Sequence, residues 1–324
     1  MRGFKLLILA ALLSPAAANA QPAAQCMPGP DRPVVTQDIA EGGLVAQYIR
    51  PEGATGRLPA LIVLGGSEGG TNWVRRTGAL FAAQGYAVLA LSYFRADGLP
   101  PGLELIPLEY FGRGLSWLAA QPGVDPGRMG IYGLSKGSEA ALLTATRHAE
   151  IRAVIAASPS HVVWPGLSNP FAPQSSWSEN GAGVPFVPYD ISRGFTSIFA
   201  IFQNSLPNVA QHPNAVIPVE RINGPVLLVS GEADGLWPAK TMADAIAARL
   251  RANNFRHRVQ NLSYPGGGHM TPTPPALGPT TPASLAQMGG TVESNDRARA
   301  AAWPAMLCFL RVTLTPAPER RPRR

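Results

Sequence analysis

Ser135 lies in Gly133-Leu134-Ser135-Lys136-Gly137, a Gly-x-Ser-x-Gly pentapeptide. That spacing suits a nucleophile elbow, a tight strand-to-helix turn. Glycines at its two ends admit a backbone path that β-carbons would obstruct, so the hydroxyl stands clear of the sheet. Gly65-Gly66-Ser67-Glu68-Gly69 matches the same pattern, so the pattern alone does not choose between them. Context does. An apolar run at 129–132 precedes Ser135 and the helix-favouring Glu139-Ala140-Ala141-Leu142-Leu143 follows it, whereas Gly69-Gly70 follows Ser67. A serine hydroxyl attacks only when a base takes its proton and a third group orients that base. Among five histidines, His269 follows an apolar run ending at Tyr264, on the flexible Gly266-Gly267-Gly268 stretch. His148, His161, His212 and His257 read as surface or capping residues. Asp234, in Gly231-Glu232-Ala233-Asp234-Gly235 at the end of another predicted strand, is the expected orienting acid, and Glu232 is the alternative. The chain order Ser, acid, His is one that serves a serine nucleophile on an α/β sheet.

Acyl chemistry also needs donors aimed at the oxygen that turns negative, and backbone amides are the usual source. The N–H of Lys136, next to the nucleophile at a helix N-terminus, is one candidate. The other is the N–H of Ser67, or less favourably Glu68, in the glycine loop after an early strand. That loop ends in neither Gly-Lys-Ser/Thr nor a spaced dinucleotide fingerprint, so a phosphate-binding reading has no further support.

The elements that must position these residues follow from hydrophobic period. Short apolar runs at 60–64, 87–92, 129–132, 153–157, 226–230 and 258–264 predict strands. Helical stretches at 74–84, 105–121, 136–147, 239–252 and 295–314 alternate with them, and Pro304 is expected to kink or break the last. Alternating β and α units predict an α/β fold with a doubly wound, mostly parallel sheet. Residues 33–50 are expected to add an antiparallel hairpin at its edge. From 160 to 223 the rhythm lapses into Pro, Ser, Asn and Gly, yet eight aromatics remain. We expect a lid insertion over the C-terminal sheet edge, the alternative being a long loop that its rings merely anchor. Residues 272–282 read as a stiff surface loop.

Composition removes several classes of function. With 324 residues, 46% hydrophobic and 15% charged, the chain folds as a globular protein. Its net charge of +7 (27 basic, 20 acidic) is concentrated at the ends, where Arg2, Lys5, Arg320, Arg321, Arg323 and Arg324 lie. It therefore supplies no nucleic-acid-binding face. Residues 1–20 show a charged start, an apolar run and the ending Ala18-Asn19-Ala20. They predict a leader cut after Ala20 and an exported enzyme, periplasmic or secreted, with no membrane span. Cys26 and Cys308 are the only cysteines; they either bridge the N-terminal arm to the last helix or remain separate thiols, and neither has metal-ligand spacing. The expected layout is a leader at 1–20, an arm at 21–57, a catalytic domain at 58–314 and a basic tail at 315–324.

With these residues placed, the stretch from about 58 to 314 resembles the C-terminal catalytic domain shared by acyl-CoA thioesterases and bile acid-CoA:amino acid N-acyltransferases, an α/β-hydrolase family. The resemblance is carried by Gly65 to Gly70, Gly85 to Ala90, Ile106 to Phe111, Gly133 to Gly137, Ser230 to Pro238 and Tyr264 to His269. It implies a triad of Ser135, Asp234 and His269. It also implies hydrolysis in preference to transfer, since the transferases carry cysteine where this chain has Ser135. The expected activity is cleavage of an acyl thioester or carboxylic ester, with no metal or organic cofactor and a small-molecule partner. The alternatives are an esterase or dienelactone-hydrolase-like enzyme, acyl transfer to an amine, or a non-catalytic binding protein on the same scaffold.

Overall fold

The computed structural model describes Cys26 and residues 29–166 and 172–314. The sheet is built from β1 (Val34–Ile39), β2 (Val45–Pro51), β3 (Leu58–Leu64), β4 (Ala87–Ser92), β5 (Val124–Leu134), β6 (Ile151–Ala157), β7 (Val226–Gly231) and β8 (Val259–Tyr264). These 8 strands lie in the order β1-β2-β4-β3-β5-β6-β7-β8. β1 and β2 form the expected antiparallel edge hairpin, and every pairing from β4 to β8 is parallel. The helices are α1 (Asn72–Ala83), α2 (Leu108–Ala119), α3 (Lys136–Ala145), α4 (Ile198–Ser205), α5 (Ala239–Ala252), α6 (Pro282–Met288) and α7 (Val292–Leu314).

Central strands read as unbroken apolar runs because both of their faces are covered. Along β3, Ala60, Ile62 and Leu64 pack with α2, α3 and α5 on one face, while Leu61 and Val63 pack with α1 and α7 on the other. The chain leaves β3 through α1 to reach β4 on one side, then crosses back through α2 to β5 on the other side of β3. Strand order thus reverses between β3 and β5, and the loops leaving their C-terminal ends flank the crevice where such sheets bind ligands. Those loops carry Ser67 and Ser135.

Some local expectations are refined or corrected. Of the kink or break expected at Pro304 the break does not occur, since α7 is continuous through it. The carbonyl that loses its partner there belongs to Ala300, which is exposed, so water can satisfy it. The start of the 272–282 stretch is buried, because Tyr132 Oη donates to the Pro272 carbonyl at 2.9 Å and Arg299 Nη2 to that of Pro274 at 2.7 Å. The insertion at 160–223 contains α4 and the strands Trp177–Glu179 and Ala182–Gly183, which form a small sheet with Ile106–Pro107 outside it. Cys26 and Cys308 are disulfide-bonded, which ties the arm to α7.

Candidate active site

Ser135 occupies the corner between β5 and α3 with φ 56° and ψ −121°, a region costly for a residue with a β-carbon and typical of functional corners. Its surroundings hold it there. The Ser135 amide donates to the Ala157 carbonyl at 2.8 Å, at the end of β6. A β-carbon on Gly133 would lie 2.0 Å from the Gly137 carbonyl oxygen, and one on Gly137 would lie 2.1 Å from that of Gly65. The two glycines are therefore required by close approach. Gly133→Ala should cost on the order of 3 kcal/mol or more of stability through overpacking. Chemical denaturation checks this, and a wild-type midpoint would contradict it.

The loop after β3 packs against this corner. Tyr93 Oη donates to the Gly65 carbonyl at 2.7 Å, and the Gly66 amide donates to Glu68 Oε1 at 3.0 Å. The Gly66 amide is thereby committed within the loop, and Ser67 borders the same cavity as Ser135. Burial pushes the Glu68 carboxyl above its ordinary range, opposed by the backbone amides of Glu68 and Gly66 and by nearby His269. Sequence reasoning considered Glu68 only for its amide and missed this inward-turned carboxyl; no local pattern signals it. Ser67, the other Gly-x-Ser-x-Gly serine, sits in a turn several residues ahead of α1 and makes no elbow.

Asp234 follows β7, where the amides of Leu236 and Trp237 donate to Oδ1 at 2.8 and 3.1 Å. Its other oxygen, Oδ2, is 2.8 Å from His269 Nδ1. Because Oδ1 already takes two N–H groups, Oδ2 is the oxygen left to accept from Nδ1–H, an arrangement that leaves Nε2 as the nitrogen available to take up a proton. The ring is fixed from several sides. Its residue amide donates to the Met288 carbonyl at 2.7 Å, Ser158 Oγ donates to the His269 carbonyl at 2.6 Å, and Trp237 meets the imidazole edge-on at 5.9 Å. Nε2 is buried and has no hydrogen-bond partner.

Ala157 holds the serine and the adjacent Ser158 holds the histidine, so one strand end positions both. The Ser135 hydroxyl is not engaged with Nε2 here, as is common before substrate binds. Glu232, the alternative acid, is exposed and accepts from Ser263 Oγ at 2.9 Å instead. His148 pairs with Glu150 at 3.1 Å and His257 with Arg256 at 3.2 Å, both at the surface.

Ser67, Ser135 and Lys136 border a cavity of about 320 Å³ whose remaining wall is mainly apolar and comes from Tyr189, Phe202, Trp237 and their neighbours. At its rim Phe195 is 72% exposed, Ile191 45% and Ile198 42%. No group of His, Cys, Asp or Glu able to hold a metal ion occurs among the described residues.

The sequence profile described as BAAT / Acyl-CoA thioester hydrolase C terminal matches residues 106–316. Peroxisomal succinyl-coenzyme A thioesterase of Mus musculus is 29% identical over 283 residues, covering 84% of this chain and 63% of its own length. Bile acid-CoA:amino acid N-acyltransferase of the same species is 29% identical over 301 residues, covering 89% of this chain and 67% of its own. The chain thus spans about 63% of the length of the first of these relatives. Among solved structures, a candidate dienelactone hydrolase of Klebsiella pneumoniae superposes with a TM-score of 0.54 at 19% identity, covering 86% of this chain and 98% of that one. At that identity the likeness concerns the fold.

These relatives correct the expectation of an exported, periplasmic or secreted enzyme. They are enzymes of acyl-CoA, and one is by name peroxisomal. The leader expected at 1–20 lies outside the described residues, as does the basic tail at 315–324. No described helix is long and apolar enough to cross a membrane. The profile match, which covers well over half of the chain, leads to one conclusion: this chain belongs to the BAAT / Acyl-CoA thioester hydrolase C-terminal family.

Proposed function

We propose that the chain is a serine hydrolase that cleaves an acyl thioester or carboxylic ester through an acyl-enzyme. The observation that carries this reading is the buried Asp234–His269 pair, 2.8 Å apart, whose free Nε2 shares a strand-end scaffold with the strained Ser135 corner. Ser135 Oγ bonds to the acyl carbon as Nε2 takes its proton. The carbonyl oxygen becomes negative and is held by the amides of Lys136 and Ser67. The bond to sulfur or oxygen then breaks, and the leaving thiol or alcohol receives the proton from the imidazolium. Water repeats the sequence on the acyl-enzyme, releasing a carboxylic acid and restoring Ser135. Every proton is carried by the chain's own groups, so no metal or organic cofactor enters this scheme.

We read residues 58–314 as the catalytic domain and 160–223 as its lid, with the apolar cavity taking the acyl group. A panel of acyl-CoA thioesters and simple esters of increasing acyl length tests this. The first product should appear as a burst, and kcat/KM should rise with acyl length as methylenes are buried, each worth about 0.8 kcal/mol at most. Phe195→Ser should raise KM for long acyl groups several-fold and leave short ones unchanged, about the effect of uncovering part of one aromatic side chain. The reading fails if no thioester or ester is turned over. Added amino acids that divert the acyl group from water would instead assign transfer to an amine.

A further inference from the structure

A lysine beside a cavity mouth ordinarily keeps its ammonium in water. Lys136 does the opposite: it is 2% exposed and turned inward. Its Nζ donates to Glu139 Oε1 at 2.8 Å, to Glu139 Oε2 at 2.9 Å and to the Trp164 carbonyl at 3.2 Å. It also stands 5.7 Å from the centre of the Trp177 ring. Glu139, fully buried one turn along α3, accepts in addition from the Trp164 amide at 3.2 Å and Trp177 Nε1 at 3.0 Å. Burial pushes the carboxyl up and the ammonium down, and each partner is the main influence opposing the other's shift.

Stability is a poor reason for such a pair. Burying two charges costs several kcal/mol, and an apolar replacement of similar volume is often neutral or stabilising. What the pair supplies is connection. It joins the first turn of α3 to two separate points of the insertion, Trp164 and Trp177, and does so immediately beside Ser135. The Lys136 backbone, whose amide faces the reacting carbonyl in the serine scheme, is held by its own side chain.

We propose that Lys136 and Glu139 form a positioning latch that keeps the elbow and the inner wall of the insertion in register, and so sets the rate of the acyl step. This rests on the serine reading above. The latch predicts a loss in kcat with little change in KM, a split that a purely structural pair would not produce.

The double variant Lys136→Met/Glu139→Met removes both charges at nearly constant volume. Loss of the two charges offsets part of the cost of leaving the Trp164 amide and Trp177 Nε1 without an acceptor, so it should fold and melt several degrees below the wild type. Its KM should stay within about threefold while kcat falls about thirtyfold or more, a loss approaching that of one oxyanion donor. Trp177→Phe keeps a six-membered ring but removes the pyrrole part of the buried indole and with it one donor to Glu139; it should lower the melting temperature and also lower kcat about three- to tenfold with KM little changed. A folded double variant with wild-type kcat, or with a loss confined to KM, overturns the latch and leaves the serine reading intact. If the double variant does not fold, Trp177→Phe decides, and wild-type kcat there overturns the latch. Ser135→Ala run alongside separates the two claims: undiminished turnover in that variant overturns the serine scheme and the latch with it.

Discussion

Ser135→Ala is expected to lower kcat by about 10⁵- to 10⁶-fold while leaving the fold intact. The size follows from position. Ser135 is the residue at the corner where β5 ends and α3 begins, it borders the cavity, and its strained backbone is held by the Ala157 carbonyl at 2.8 Å. Alanine keeps the β-carbon and therefore the backbone cost, but removes the atom that forms the acyl bond. Some rate above that in water should persist, since the amides of Lys136 and Ser67 would still polarise a bound carbonyl. Steady-state turnover on the best substrate of the panel, with labelling by a serine-directed fluorophosphonate, measures both sides. Turnover within tenfold of wild type, or labelling of the variant at Ser67, would remove Ser135 from the mechanism.

The second large effect concerns a change of a single atom. Asp234→Asn is expected to cost about 10⁴-fold in kcat with little change in stability, the magnitude seen when an orienting aspartate loses its charge in other serine enzymes. The surroundings of Asp234 dictate why. Oδ1 accepts from the amides of Leu236 and Trp237, so an asparagine must place its carbonyl oxygen there. Its NH₂ then faces His269 Nδ1, which can meet it only as an acceptor. The ring proton moves to Nε2, and the nitrogen that should take the serine proton is already occupied. Loss of kcat with an unchanged denaturation midpoint fits this account. A variant within tenfold of wild type would mean that Glu68, the other carboxyl close enough to act on His269, supplies the orientation instead.

The parts legible in the sequence are those whose cause is local. β4 and α5 occur at their expected residues, and the other expected strands and helices differ only at their ends. Their apolar runs and helical periods reflect which face each residue buries. The elbow was legible because glycines 133 and 137 mark a turn that a β-carbon would block. The inner structure of the insertion was not, because α4 packs Phe202 on Trp164, Tyr189 and Trp237 and the small sheet sets Trp177 against Tyr93 and Phe111, and no period in the sequence encodes those contacts. The continuity of α7 through Pro304 likewise depends on which side of the helix meets water.

Local chemistry in the chain determined that a serine would stand on a strained turn, that a histidine would ride a glycine run, and that an aspartate would end a strand. Tertiary structure alone decided that the last two meet. His269 and Asp234 are 35 positions apart, and only the adjacency of β7 and β8 brings their loops within hydrogen-bonding distance. It also turned Lys136 inward to Glu139 and brought the pair into hydrogen-bonding contact with Trp164 and Trp177. A hydrogen bond of this kind is set by distance in space, which sequence spacing constrains only within a single turn or strand pair.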